Sequence, residues 1–154
     1  MTDWKHNHIT LSMLRMHYAR DGDGPTLVLL HGWPEFWYTW RNNISALARS
    51  FDVVVPDLRG FGDGDKPSNV PDVSDYADNL IELLDALDIN RAGSVGHDVG
   101  AFEMQDLAQL YRDQVDRLFF FDCPHPGIRP RWLDNGHYKE LCYQAFNQMD
   151  WAAT

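Results

Sequence analysis

Cysteine, positive charge and long hydrophobic runs are all scarce in this sequence. The 154 residues include only Cys123 and Cys142, too few for a disulfide framework, so we expect a reducing compartment such as the cytoplasm. The 13 Lys and Arg are outnumbered by 23 Asp and Glu, and the net charge of −10 argues against nucleic acid or an anionic membrane as a partner. Apolar runs such as residues 27–30 are too short to span a bilayer, and the first residues lack the apolar run of a secretory signal.

Short apolar runs alternate with segments of helical periodicity, which predicts an α/β fold with a mostly parallel sheet and helices on both faces. The predicted strands are 9–13, 14–18, 26–30, 51–55, 92–96 and 117–122. Helices are predicted over 36–49 and over 74–88, the latter with Ser74 as N-cap. A third helix is expected to begin just after Asp98, with Phe102, Leu107, Leu110 and Tyr111 buried.

The segment Gly96-His97-Asp98-Val99-Gly100 stands where a predicted strand turns directly into a helix. Small residues on both sides permit a tight turn that pushes the central side chain out at the carboxyl end of the sheet, as in the nucleophile elbow of hydrolases. The central residue here is Asp98. An aspartate that caps the following helix is the alternative interpretation of the same pattern.

A second motif, His31-Gly32-Trp33-Pro34, follows the predicted strand 26–30. A turn at this position directs a backbone N–H towards the residue at the elbow, and the N–H of Val99 supplies another at the start of a helix. Two converging N–H groups form an oxyanion hole. The alternative is an ordinary turn at the end of a strand, made rigid by Pro34 in the cis form, and both interpretations hold together.

These residues resemble a known family. The motifs beginning at His31, Asp57 and Gly96 occur in the order and spacing of α/β-hydrolases, and an aspartate at the elbow is similar to the branch of epoxide hydrolases and dehalogenases. The resemblance implies that Asp98 attacks a small-molecule substrate and forms an alkyl-enzyme ester, which water then hydrolyses to a diol. It implies that Trp33 and Val99 stabilise the oxyanion, with His31, Gly32, Pro34 and His97 as supporting residues.

An epoxide oxygen is a poor leaving group and needs a hydrogen-bond donor, which in this family is a tyrosine from a helical cap. Cys123-Pro124-His125 predicts a boundary, so we expect residues 1–123 to form the first part of the hydrolase core and 124–154 the start of the cap. By resemblance Tyr143 is the candidate donor and Tyr138 the fallback, although Tyr143 is also typical of a buried helix residue packing near Phe146.

Several alternatives stay open. Dehalogenation by the same aspartate chemistry is disfavoured because Val99 replaces the tryptophan that holds a halide, and because arginines that would clamp a carboxylate are missing after Asp98. The acid and histidine of the family's triad follow the cap in chain order, so the sequence is also compatible with a truncated, non-catalytic fragment, and a homodimer stays open.

No cofactor is expected, and no metal site, because no two histidines share helical spacing with a carboxylate.

Overall fold

The computed structural model of the protein describes residues 4–69 and 71–123. The chain divides after Cys123 into two units, Met1–Cys123 and Pro124–Thr154, and the described residues all lie in the first. The expectation that residues 124–154 begin a cap, together with Tyr138 and Tyr143, lies outside the described residues and stays a prediction.

Six strands form one sheet in the order β1-β2-β4-β3-β5-β6. The strands are β1 (Lys5–Thr10), β2 (Arg15–Asp21), β3 (Thr26–Leu30), β4 (Asp52–Pro56), β5 (Ala92–His97) and β6 (Val115–Phe121). Strands β1, β2 and β4 pair antiparallel, whereas β4, β3, β5 and β6 pair parallel. The predicted mostly parallel α/β sheet is therefore confirmed.

Three α-helices and two short 3₁₀ turns connect the strands. The helices are α1 (Arg41–Leu47), α2 (Val73–Ala86) and α3 (Val99–Leu110), and the 3₁₀ turns are Trp37–Trp40 and Arg112–Gln114. The predicted helix 36–49 is thus a 3₁₀ turn followed by α1. No helix in residues 4–69 and 71–123 is long and apolar enough to cross a membrane.

The sheet separates two hydrophobic cores, because side chains along each buried strand alternate between its faces. Val28 and Leu30 of β3 face the core that contains α2 and α3, with Leu80, Leu84, Met104 and Leu107. Leu29 faces the other core, with Trp37, Trp40 and Ile44. Helical elements cover both faces, so the carboxyl ends of β3, β4 and β5 are the exposed edge at which a site can form.

The predictions for the first hairpin and for the buried face of α3 were wrong. The first two strands were placed at 9–13 and 14–18, but the segment from Leu11 to Leu14 is the hairpin turn, closed by the Leu11 N–H donating to the Leu14 carbonyl at 2.8 Å. Leu11 and Leu14 are buried although they lie in a turn, and their apolar character imitated strand residues. In α3, Phe102 and Leu110 are exposed, because Gly100, Ala101, Met104 and Leu107 form the face that packs on the sheet.

Candidate active site

Asp98 stands alone between β5 and α3, with φ 51° and ψ −114°. This left-handed backbone is unfavourable for a residue with a side chain, and it is what turns a strand into a helix within one residue. The predicted elbow is present in the backbone.

The glycines around Asp98 are required by close packing. A Cβ on Gly96 would lie 2.3 Å from the Met104 sulfur, and a Cβ on Gly100 would lie 2.6 Å from the Leu30 Cβ. The Gly100 N–H also donates to the carbonyl of His31 at 3.1 Å. These contacts hold the start of α3 directly against the end of β3, and so fix the position of Asp98.

The side chain of Asp98 makes no hydrogen bond that caps α3. Its Oδ1 instead accepts a hydrogen bond from the Trp33 N–H at 2.9 Å. A Cβ on Gly32 would lie 2.7 Å from the Asp98 Cβ, so only glycine lets the two segments approach this closely. Of the two interpretations of the elbow, the carboxylate directed at the Trp33 turn is the one that the structure contains.

His31 is fully buried at the base of this turn. Its Nδ1 lies 2.8 Å from the Gly32 carbonyl oxygen, and its Nε2 accepts the Leu58 N–H at 3.0 Å. Because Nε2 accepts, the proton resides on Nδ1, and the neutral ring satisfies both contacts. Burial lowers the pKa of His31, which keeps the ring neutral. The ring thereby connects the turn to the loop after β4, and the Trp33–Pro34 peptide bond that follows is cis.

Glu35 organises the other side of the turn. Its Oε2 accepts the Gly32 N–H at 3.0 Å, and its Oε1 accepts the Thr39 hydroxyl at 3.0 Å. Burial by itself raises the pKa of Glu35, but the hydrogen bonds from Gly32, Thr39 and His97 outweigh it, and the net pKa lies below its usual value. A carboxylate is therefore the form that holds the turn.

His97, at the end of β5, lies between two carboxyl groups. Its Nδ1 lies 3.1 Å from Glu35 Oε2, and its Nε2 lies 3.1 Å from Asp122 Oδ2. Each ring nitrogen of His97 therefore has a carboxylate oxygen within hydrogen-bond distance. The imidazole thus connects the Trp33 turn to the end of β6, next to the nucleophile candidate.

Sequence reasoning placed five of these residues near one another, and the structure brings them together: His31, Gly32, Trp33, His97 and Asp98. Val99 occupies the first position of α3, and its role as an oxyanion donor stays a prediction. Glu35 and Asp122 were missed. The sequence features that could have indicated them are their positions. Glu35 directly follows Pro34 in the second motif, and Asp122 directly follows β6, the strand that pairs with β5.

Comparisons with known proteins identify the family to which this fold belongs. The model of the family described as alpha/beta hydrolase fold matches residues 25–137. The chain is 45% identical over 127 residues to the soluble epoxide hydrolase of Corynebacterium sp. (strain C12), covering 82% of this chain and 44% of that protein. It is 42% identical over 135 residues to epoxide hydrolase 2 of Siraitia grosvenorii, covering 81% of this chain and 42% of that protein.

Among solved structures, epoxide hydrolase VrEH1 from Vigna radiata superimposes with a TM-score of 0.77 at 28% identity, over 87% of this chain and 47% of that chain. The chain therefore spans less than half the length of these relatives. The residues that match the family model, 25–137, include strands β3 to β6, the elbow and the Trp33 turn. On this evidence the chain belongs to the α/β-hydrolase fold family and resembles its epoxide hydrolases.

Proposed function

We propose that this chain carries the nucleophile and the oxyanion hole of an epoxide hydrolase, with Asp98 as the attacking carboxylate. The observation that carries the proposal is the position of the Asp98 carboxylate, which lies on the strained elbow and accepts the Trp33 N–H at 2.9 Å. The relatives named as epoxide hydrolases support the same substrate class.

The chemistry follows from the carboxylate. An oxygen of Asp98 attacks one carbon of the epoxide, the carbon–oxygen bond of the ring breaks, and the released oxygen takes a proton from a donor, for which Tyr143 is the candidate. The product of this step is an ester between Asp98 and the opened substrate. A carboxylate is already ionised near neutral pH, so this first step needs no general base.

Water then adds to the carbonyl carbon of the ester, and negative charge develops on the carbonyl oxygen. The Trp33 N–H already contacts Asp98 Oδ1 and is positioned to stabilise that charge, with the Val99 N–H as its partner. Collapse of the intermediate breaks the bond between the carbonyl carbon and the diol oxygen and restores the Asp98 carboxylate. Of the two protons of the added water, one goes to that diol oxygen and the other returns to the donor that protonated the epoxide oxygen. The carboxylate of Glu35, which binds the Gly32 N–H, keeps the Trp33 turn in place during both steps.

The test is detection of the ester in the protein as given. The chain is mixed with styrene oxide, quenched in acid and measured by mass spectrometry, both intact and after digestion. We expect the mass of one epoxide to be added to the chain, on the peptide that contains Asp98. If turnover is fast, a single turnover in oxygen-18 water should instead leave the heavy isotope in the Asp98 carboxyl, because water attacks the ester carbonyl carbon.

Asp98→Asn should abolish both signals, since a neutral amide is a poor nucleophile. Asp85→Asn is the matched control, because Asp85 is an exposed carboxylate on α2 and should leave both signals unchanged. Labelling that persists in the Asp98→Asn protein, or a wild-type chain that shows neither an adduct nor isotope incorporation, would refute the assignment.

A further inference from the structure

Three histidines share one face of the β1–β2 hairpin. His6 and His8 are two residues apart on β1, so their side chains point to the same side of the strand. His17 on β2 lies directly opposite His8 in the antiparallel register. The three imidazoles form a compact group, with ring centroids 5.3 Å apart for His6 and His17 and 5.1 Å apart for His8 and His17.

Two nitrogens of this group lie at nearly the separation found on a single metal ion. His6 Nδ1 and His17 Nε2 are 3.0 Å apart. On a tetrahedral Zn²⁺ ion, with Zn–N bonds of ~2.0–2.1 Å, two imidazole nitrogens lie about 3.3 Å apart. The ring of His6 is exposed and can rotate so that the Nδ1 lone pair faces such an ion. The ion would then take the place of the proton that the two rings share in their hydrogen bond.

Asp57 orients His17 for this role. Its Oδ2 lies 2.7 Å from His17 Nδ1, and both side chains are buried. Asp57 also accepts the Trp37 and Asp63 N–H groups, which fix the position of its carboxyl group. A proton on Nδ1 directed at Asp57 leaves Nε2 directed at His6, and such a carboxylate partner is the arrangement that usually supports a histidine ligand.

Further ligand atoms lie beside these two. His17, Asp57 and Asp63 each offer a ligand atom within 4.8 Å of the others. His8 is exposed, and its Nε2 lies 3.3 Å from the Asp63 carbonyl oxygen, so His8 and Asp63 are neighbours beside His17. One positive charge near the site disfavours a bound cation. Lys66 Nζ donates to the carbonyls of Gly62 and Gly64 on either side of Asp63.

We propose that the hairpin binds a divalent transition-metal ion of the Zn²⁺ class, with His6 Nδ1 and His17 Nε2 as ligands and with His8 and Asp63 completing the coordination. Imidazole nitrogens with a carboxylate are the donor set that Zn²⁺ accepts. No metal site was predicted from the sequence, because no two histidines share helical spacing with a carboxylate. On a strand, residues two apart and a cross-strand partner supply the same convergence of ligands.

Bound metal would tie the hairpin to the loop after β4. Asp57 also accepts the Trp37 N–H at 2.7 Å, so the site reaches the first turn of helix after the Trp33 motif. An ion that binds the folded chain and not the unfolded one raises the thermal midpoint as its concentration increases. Binding should weaken as the pH falls, because protons compete for the imidazole nitrogens. The proposal is independent of the hydrolase chemistry.

The experiment is calorimetric titration of the EDTA-treated, dialysed chain with ZnCl₂, together with Co²⁺ titration followed by visible absorption. We expect one ion per chain and the intense bands of tetrahedral Co²⁺. The decisive comparison is a double variant, His8→Asn with Asn7→His, which keeps the number of histidines constant and moves one imidazole to the opposite face of β1. Its Zn²⁺ affinity should fall at least about tenfold, as should that of His6→Gln.

Thermal unfolding without metal shows whether each variant is folded. If the double variant unfolds early, His8→Asn alone replaces it, with His125→Gln as the control that removes a histidine outside the hairpin. Equal Zn²⁺ affinity in the wild type, in His6→Gln and in the double variant (or in His8→Asn where it replaces the double variant) would overturn the proposal. So would the lack of Zn²⁺ binding by the wild-type chain, or binding of several ions with no dependence on His6.

Discussion

Glu103 carries a carboxyl group that is buried in an apolar interior. It lies on α3 with 1% exposure, and its Oε2 has no hydrogen-bond partner within the part of the chain that the structure describes. Burial raises the pKa of Glu103 well above 4.5, because a charge without a partner is costly in an apolar interior. The protonated form is therefore the one that the fold accommodates.

This burial predicts a pH-dependent stability. Glu103 binds its proton more tightly in the folded chain than in the unfolded one, so its contribution is fully present below pH 4.5 and is lost as the pH rises towards the folded pKa. Glu103→Gln should match wild type near the lower pH and exceed it by ~1–3 kcal/mol at pH 8. Urea unfolding at several pH values measures the difference.

Asp106→Asn on the same helix is the control, since it removes a carboxylate that is only half-buried. Its stability should follow wild type at every pH. Parallel pH profiles for wild type and Glu103→Gln would mean that Glu103 ionises at little cost, contrary to its burial.

Among the elements, helix α2 was predicted from the sequence, but its N-cap residue was predicted wrongly. The sequence suggested Ser74, but α2 begins at Val73 with Asp72 as N-cap. Asp75, at the third helical position, accepts the Asp72 N–H through its Oδ2 at 2.9 Å. A side chain that reaches back to the N-cap satisfies a backbone donor that the helix itself cannot.

The two assignments make opposite predictions for mutants. Asp75→Ala should lower the free energy of unfolding by ~0.5–2 kcal/mol, because it removes a capping interaction and a negative charge at a helix N-terminus. Ser74→Ala should change it little, since Ser74 is exposed. Chemical unfolding of the two variants side by side distinguishes the caps. A larger loss in Ser74→Ala would favour the original assignment.

Elements were predictable from the sequence where the signal was local. The strand 26–30 and the elbow at Asp98 were found because apolar runs and glycines mark them within a few residues. The hairpin turn at Leu11 and the exposed Phe102 were not, because apolar character alone does not say which side of an element is buried. The contacts of Glu35 with His97 and of His97 with Asp122 join residues far apart in the chain, and no local pattern encodes them.

At the scale of the whole molecule, β6 is the last strand of the described sheet. Two phenylalanines two residues apart share one of its faces, and Phe119 is 64% and Phe121 42% exposed. A strand at a sheet edge with exposed apolar side chains is a template for pairing with another chain. The chain also covers only 44% of its Corynebacterium relative, so strands that flank β6 in a longer protein can lie outside these residues.

We therefore expect the chain as given to associate with itself through β6 as its concentration rises, despite its net charge of −10. Phe119→Lys should shift the onset of association, measured by light scattering, to a concentration several-fold higher, because it places a charge on the edge strand. Met13→Lys is the matched control: Met13 is 73% exposed in the β1–β2 turn and the change in net charge is the same. If the two variants behave alike, general charge rather than the β6 edge controls association. If neither differs from a monomeric wild type, the exposed phenylalanines of β6 do not drive association at the concentrations measured.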